Sequence, residues 1–203
     1  MPTTRFILLR HGETEWNAVG REMGQLDSPL TTRGLDQAQR LAARLVMFRF
    51  DALYSSDLGR AVQTAEAIAH RCSCEIRFDM RLRERHMGIF QGLTPDESET
   101  RFPEERKAYG AKDANYVIPS GESAVQRLQR TVACLDELAG RHPGQTVVVV
   151  THGGILMGFF EYVLGLSHGA GVRYRRPNAA WNVFSKDDRG WILETWGDVA
   201  HLS

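Results

Sequence analysis

Two apolar runs in this chain end in the same way. Residues 6–9 give way to Arg10-His11-Gly12, and residues 147–150 to Thr151-His152-Gly153-Gly154. A short apolar run followed at once by polar residues and glycine reads as a buried strand. The pattern therefore predicts strands over 5–9 and 147–150, each delivering a histidine at its end. Further strands are predicted over 51–55, 75–78, 180–185 and 191–195. Between them the period changes from two to 3.6. Thr31 is a plausible N-cap, and Ala38, Leu41, Ala42 and Leu45 form one helical face. Leu58, Ala61, Val62, Ala65, Ile68 and Ala69 form a second, with Ser56 or Asp57 as its expected cap. Val125, Leu128, Val132, Leu135 and Ala139 form a third, with Ser120 as its expected cap. Residues 155–164 are almost wholly apolar and predict a well-buried helix.

Strands alternating with helices imply a parallel or mostly parallel sheet covered on both faces. Residues 82–94 are dense in charge and glycine and read as a loop. Residues 95–118 are polar, with Tyr109 and Tyr116 interspersed, and read as a helical excursion or lid. No internal repeat or low-complexity tract interrupts the chain. Its 203 residues suit one domain, expected to span 1–203.

Composition narrows the partners. Lys+Arg and Asp+Glu both number 25, so no basic surplus calls for nucleic acid. No run reaches membrane-spanning length. Three cysteines, Cys72, Cys74 and Cys134, with no repeated spacing fit a reducing compartment, and the expected location is cytoplasmic. Arginine far outnumbers lysine, a bias that suits two-pronged binding of phosphate or carboxylate.

In open α/β sheets, ligands bind beyond the carboxyl ends of the strands. Arg10, His11 and His152 belong there. Arg60 falls in the first turn of a predicted helix, where the helix dipole disfavours a cation unless an anion is bound nearby. Glu84 and Arg85 lie in the charged loop. Two histidines, several arginines and one carboxylate point to a phosphorylated ligand. A zinc site built from His11, His152 and Glu84 is a weaker reading, because the surrounding arginines oppose a cation.

These motifs resemble the histidine phosphatase superfamily, in its cofactor-dependent phosphoglycerate mutase-like branch. The resemblance runs through LRHGETEWN at 9–17, GQLDSPLTTRG at 24–34, SSDLGRAVQTAE at 55–66, LRERHMGIFQG at 82–92, VVVVTHGG at 147–154 and WGDVAHL at 196–202. It implies a three-layer α/β/α sandwich with a mostly parallel central sheet and a lid insertion near 95–118. It implies that His11 is the nucleophile that becomes phosphohistidine and that Glu84 is the general acid. Arg10, Arg60 and a charged His152 would hold the phosphoryl oxygens. Asn17 would add a hydrogen bond, Gly153 a backbone N–H, and Thr14, Gly24, Gln25 and Arg85 would contribute to substrate binding. The scheme requires no metal or other cofactor.

The family contains both mutases and phosphatases. The glycolytic mutase pattern has a tyrosine where this chain has Met87, and a lysine where it has Thr94-Pro95. It also has an adjacent arginine pair in a longer insertion, which residues 95–118 lack. The expected activity is therefore hydrolysis of a small phosphorylated metabolite. A 2,3-bisphosphoglycerate-dependent mutase is the enzyme alternative, and a noncatalytic phospholigand-binding protein is a third reading. Apolar residues around Phe159, Phe160 and Tyr162 leave a homodimer open.

Overall fold

A computed structural model describes residues 2–203. The elements, in chain order, are β1 (Thr4–Arg10), α1 (Glu15–Ala18), α2 (Thr32–Leu45), β2 (Ala52–Ser55), α3 (Gly59–Cys72), β3 (Ile76–Phe78), α4 (Pro95–Arg101), α5 (Pro103–Gly110), α6 (Ala124–Arg141), β4 (Thr146–Thr151), α7 (Gly153–Val163), β5 (Trp181–Asp187) and β6 (Gly190–Asp198). Short 3₁₀ turns at Met80–Leu82 and Gly88–Phe90 punctuate the charged loop.

The six strands form one sheet in the order β3-β2-β4-β1-β5-β6. The first four in this order run parallel, and β5 runs antiparallel to both neighbours. Alternation along each strand divides the core. Phe6, Leu8, Val147 and Val149 pack with Leu135, Leu138, Leu156 and Phe159, from α6 and α7. Ile7, Leu9, Val148 and Val150 pack on the opposite face with Leu41, Leu45, Ala61, Ala65 and Ile68, from α2 and α3. The expected three-layer sandwich is thus present. Its central strands carry unbroken apolar runs at 6–9 and 147–150 because both faces are covered. No helix of the described residues is long and apolar enough to cross a membrane.

Two expected caps differ. Helix α6 starts after Ser123, not Ser120. Ser123 accepts the Gln126 N–H while Gln126 returns a bond to the Ser123 N–H. That reciprocal box satisfies two orphan donors, and such a cap contributes about 1 kcal/mol. Helix α3 is capped by neither Ser56 nor Asp57. Its N-cap position is Leu58, with no side-chain bond of its own, and the Asp27 carboxylate accepts the Gly59 and Arg60 N–H groups from a distant loop. Asp57 is paired with Arg83 instead.

Residues 95–118 contain two short helices, α4 and α5, that meet at Phe102. They lie over a third apolar cluster of Met87, Phe90 and Ile118, joined by Phe102, Tyr109 and Tyr116. The excursion is therefore anchored by aromatic packing. Phe159 and Phe160 belong to the buried core, while Tyr162 is exposed.

Candidate active site

The parallel register pairs Arg10 with Thr151. It follows that the next residues, His11 and His152, emerge side by side. Their ring centroids are 5.3 Å apart. His11 is 2% exposed, and its Nδ1–H donates to the Gly12 carbonyl at 2.7 Å. That bond fixes the tautomer and leaves the Nε2 lone pair free. Burial, then Arg60 and Arg10, hold the His11 pKa well below the ordinary imidazole value. The ring is accordingly neutral, with one nitrogen unprotonated.

His152 departs from the expectation of a charged ring. It is fully buried, and burial together with Arg60, His11 and Arg10 pushes its pKa well below the usual value. The Ser56 hydroxyl accepts the Leu58 N–H at 3.3 Å and lies 2.8 Å from His152 Nε2. Among the described residues, the buried Nδ1 has no protein partner. His152 thus keeps one ring nitrogen open to a ligand.

These depressed values have a measurable consequence. A ring that protonates only well below the ordinary imidazole value of 6.5 stays neutral through that pH. Between the folded pKa and the unfolded one, the unfolded chain binds more protons. Stability from these two rings is therefore present above 6.5 and is lost as pH falls through the folded values. In an NMR titration, the His11 and His152 ring signals are expected to show no inflection near pH 6.5, with assignment by single His→Ala variants. A midpoint at or above 6.5 for either ring would contradict the neutral assignment.

Arg10 and Arg60 flank the histidines. Burial pushes Arg10 down to about 10, with Arg176 and Arg60 adding repulsion and Glu84 opposing the shift. Arg60 is 1% exposed. It donates to the Leu26 carbonyl at 2.8 Å, the Gly24 carbonyl at 2.7 Å and Asp27 Oδ1 at 3.0 Å. Asp27 thus holds both the α3 N-terminus and the arginine that this terminus carries. The Nε atoms of Arg10 and Arg60 have no protein partner. Unpartnered guanidinium donors around a neutral imidazole form a cradle for an oxyanion.

Glu84 is placed by its backbone and by two N–H groups. Oε1 accepts the Arg85 N–H and Oε2 the Gly154 N–H, both at 2.7 Å. A Cβ at 154 would collide with this carboxylate, so only glycine at the start of α7 admits it. The ion pairs that would have made Glu84 merely structural are absent among the described residues. Arg83 pairs with Asp57, and the Arg85 side chain donates to the Glu122 and Tyr116 carbonyls. From α6, Arg130 reaches three successive parts of the loop, donating to the Arg81, Arg83 and Glu84 carbonyls at 2.6–2.9 Å. Glu122 anchors the Arg130 guanidinium in turn.

The remaining expected residues separate into two groups. Asn17, Gly24, Arg85 and Gly153 line the chamber that contains His11. Thr14 does not. It is fully buried, caps α1 through the Asn17 N–H, and donates to Met23 Sδ. Its expected contact with substrate is replaced by this capping role. Gln25 likewise supports rather than lines the chamber. It donates to the Glu84 carbonyl at 3.1 Å, while its own N–H is taken by Gln91. His168 also lines the chamber and pairs with Glu161.

Asp27, Ser56, Arg127, Arg130, Arg176 and Asn178 were not legible as site residues. Asp27 and Ser56 fall inside the quoted motifs, but nothing local distinguishes their roles. Asn178 donates to the His11 and Gly12 carbonyls and to Asn17 Oδ1, from a segment remote in sequence. The chamber that contains His11 has a volume of about 440 Å³ and is joined through Arg85, Tyr109, Tyr174 and Arg176 to an outer space of about 490 Å³.

Comparison with known proteins agrees with this geometry. The family model of the histidine phosphatase superfamily, branch 1, matches residues 6–199. A metal-independent phosphoserine phosphatase of Arabidopsis thaliana is 41% identical over 203 residues, covering 98% of this chain and 84% of the relative. A probable phosphoglycerate mutase, GpmB, of Escherichia coli is 38% identical over 205 residues, covering 96% and 93%. The solved structure of a phosphoserine phosphatase mutant from Entamoeba histolytica, in complex with phosphoserine, is 27% identical. It superposes with a TM-score of 0.87 over 98% of this chain and 100% of that one. The motif order, the paired histidines at adjacent strand ends and the family match lead to one conclusion: the chain belongs to branch 1 of the histidine phosphatase superfamily.

Proposed function

We propose that the protein is a phosphomonoesterase that hydrolyses a small phosphorylated metabolite through a phosphohistidine on His11. The observation that carries this reading is the neutral, buried His11, its Nε2 free beside unpartnered guanidinium donors. Nε2 attacks phosphorus in line as the P–O bond to the alcohol breaks. Arg10, Arg60, the His152 Nδ1–H and the Gly153 N–H meet the charge on the transferring group. Glu84 gives its proton to the departing oxygen. It then takes a proton from water, whose oxygen attacks the phosphohistidine and releases phosphate and His11.

Hydrolysis is favoured over mutase chemistry by the lining. Met87 faces the chamber in place of a tyrosine. In the 95–118 excursion, Arg106 is bound to Glu22 and stacks over Phe90 and Tyr109, so it is not free for a second phosphate. The named phosphoserine phosphatase relative puts phosphoserine first among candidate substrates. Zero net charge argues against nucleic acid as a partner, and sparse unpaired cysteine supports a cytoplasmic setting.

The test is phosphate release from a panel of phosphorylated metabolites, beside conversion of 3- to 2-phosphoglycerate with added 2,3-bisphosphoglycerate. Rapid release without isomerisation is expected. Efficient isomerisation with little release would replace this reading by the mutase one.

A further inference from the structure

Among the described residues, Arg127 is a buried cation without a counter-ion. It lies in the first half of α6 and is 3% exposed. Its Nε has no protein partner. The carboxylates whose charge reaches it are engaged elsewhere: Glu84 by the Arg85 and Gly154 N–H groups, Glu122 by Arg130, and Glu161 by His168 and Tyr174. An arginine does not escape burial by losing its proton at neutral pH. Leaving it unpaired is costly, and an anion that reaches it offsets that cost.

The guanidinium faces the same chamber as His11. Helix α7 makes room for it. A Cβ at Gly158 would collide with Arg127 Nη2, just as one at Gly153 would crowd Arg10 Nε and one at Gly154 would strike Glu84. Gly154 and Gly158, one turn apart, share a face of α7, which therefore receives the acid and Arg127 side by side. Four helical steps separate the two glycines, a rise of about 6 Å. That separation suits a ligand with a phosphate at one end and a second anion a few bonds away.

We propose that Arg127 is a specificity-determining residue that receives a carboxylate of the substrate, so that small phosphorylated carboxylic acids are preferred. The assignment rests on the phosphomonoesterase reading for its turnover assay. Planar, two-pronged pairing of guanidinium with carboxylate supplies the discrimination. A site holding a buried group for one ligand feature strongly rejects analogues that lack it.

The experiment compares two pairs of substrates: O-phosphoserine with phosphoethanolamine, and 3-phosphoglycerate with glycerol 3-phosphate. The readout is the ratio of kcat/KM, acid over its carboxylate-free analogue. Wild-type protein is expected to favour the acid by roughly 100-fold in at least one pair. Arg127→Met should collapse that ratio towards one, and Arg127→Lys should retain part of it. Gly158→Ala offers an independent route, since the methyl displaces only the far end of a flexible side chain. It should lower the ratio with the arginine still present. A binding arm uses His11→Ala protein and calorimetry with the same four compounds, and reads the same preference without turnover. Binding preference for the acids without any turnover would sink the phosphatase reading and keep the Arg127 assignment. A wild-type ratio near one in both pairs, or a preference that persists in Arg127→Met, would overturn the assignment.

Discussion

His11→Ala is expected to lower phosphate release by at least about 10⁴-fold, the scale on which removal of a covalent nucleophile acts. The surroundings of the His11 ring serve one nitrogen. The Gly12 carbonyl takes the Nδ1 proton, burial and two arginines keep the ring neutral, and the adjacent β4 terminus supplies His152 beside it. His152 does not substitute for it, because its Nε2 is engaged by the Ser56 hydroxyl. The checking measurement is steady-state phosphate release together with acid-labile labelling by a phosphodonor. Both should disappear in the variant. Labelling that persists at an unchanged level would move the nucleophile to another residue.

Glu84→Gln should show the second-largest effect, and its size should depend on the leaving group. The amide preserves volume but cannot donate a carboxyl proton. Loss of a general acid costs about 10²–10⁴-fold when the departing alkoxide is strongly basic. A phosphorylated aliphatic alcohol should therefore lose that much in kcat. p-Nitrophenyl phosphate, whose leaving group departs without protonation, should lose far less in the phosphorylation step. A single-turnover comparison separates that step from the later hydrolysis. Equal losses with both leaving groups would remove Glu84 from the role of acid. The variant should remain folded, since the clamp on its backbone comes from Arg130 and Gln25 rather than from its carboxylate.

The fold was largely legible because burial leaves a period. Apolar runs at 6–9 and 147–150 had to become covered strands, and the stripes on α2, α3 and α6 had to face the sheet. Arg10, His11 and His152 stood out because charge and glycine directly after apolar strands are poor core material, Arg60 because a cation in the first turn of a helix opposes the dipole, and Glu84 because it lies in a charged loop. The Ser123 cap was missed because Ser120 is an equally plausible residue type nearby, and only backbone geometry chooses between them. In the structure Ser120 has a φ of +58°, incompatible with the extended backbone of an N-cap.

The roles of Thr14, Gln25 and His152 were less legible, since residue type does not specify surroundings. Thr14 turned inward to cap α1, and Gln25 turned to the Glu84 backbone. His152 was expected to be charged because it sits among phosphate-binding groups. Those same arginines, with complete burial, keep it neutral. Asp27, Asn178 and Arg130 act across separations in sequence that no local pattern encodes.

By itself, then, the sequence determined the layered α/β architecture, the two histidines at strand ends and the charged residues expected around them, since hydrophobic period and short motifs are local properties. Only the tertiary structure decided which nitrogen of His11 is free, that His152 is neutral, that Asp27 holds Arg60, and that Arg127 faces the chamber unpaired. Those features depend on desolvation and on hydrogen bonds between distant segments, and they arise only when the chain has closed around them.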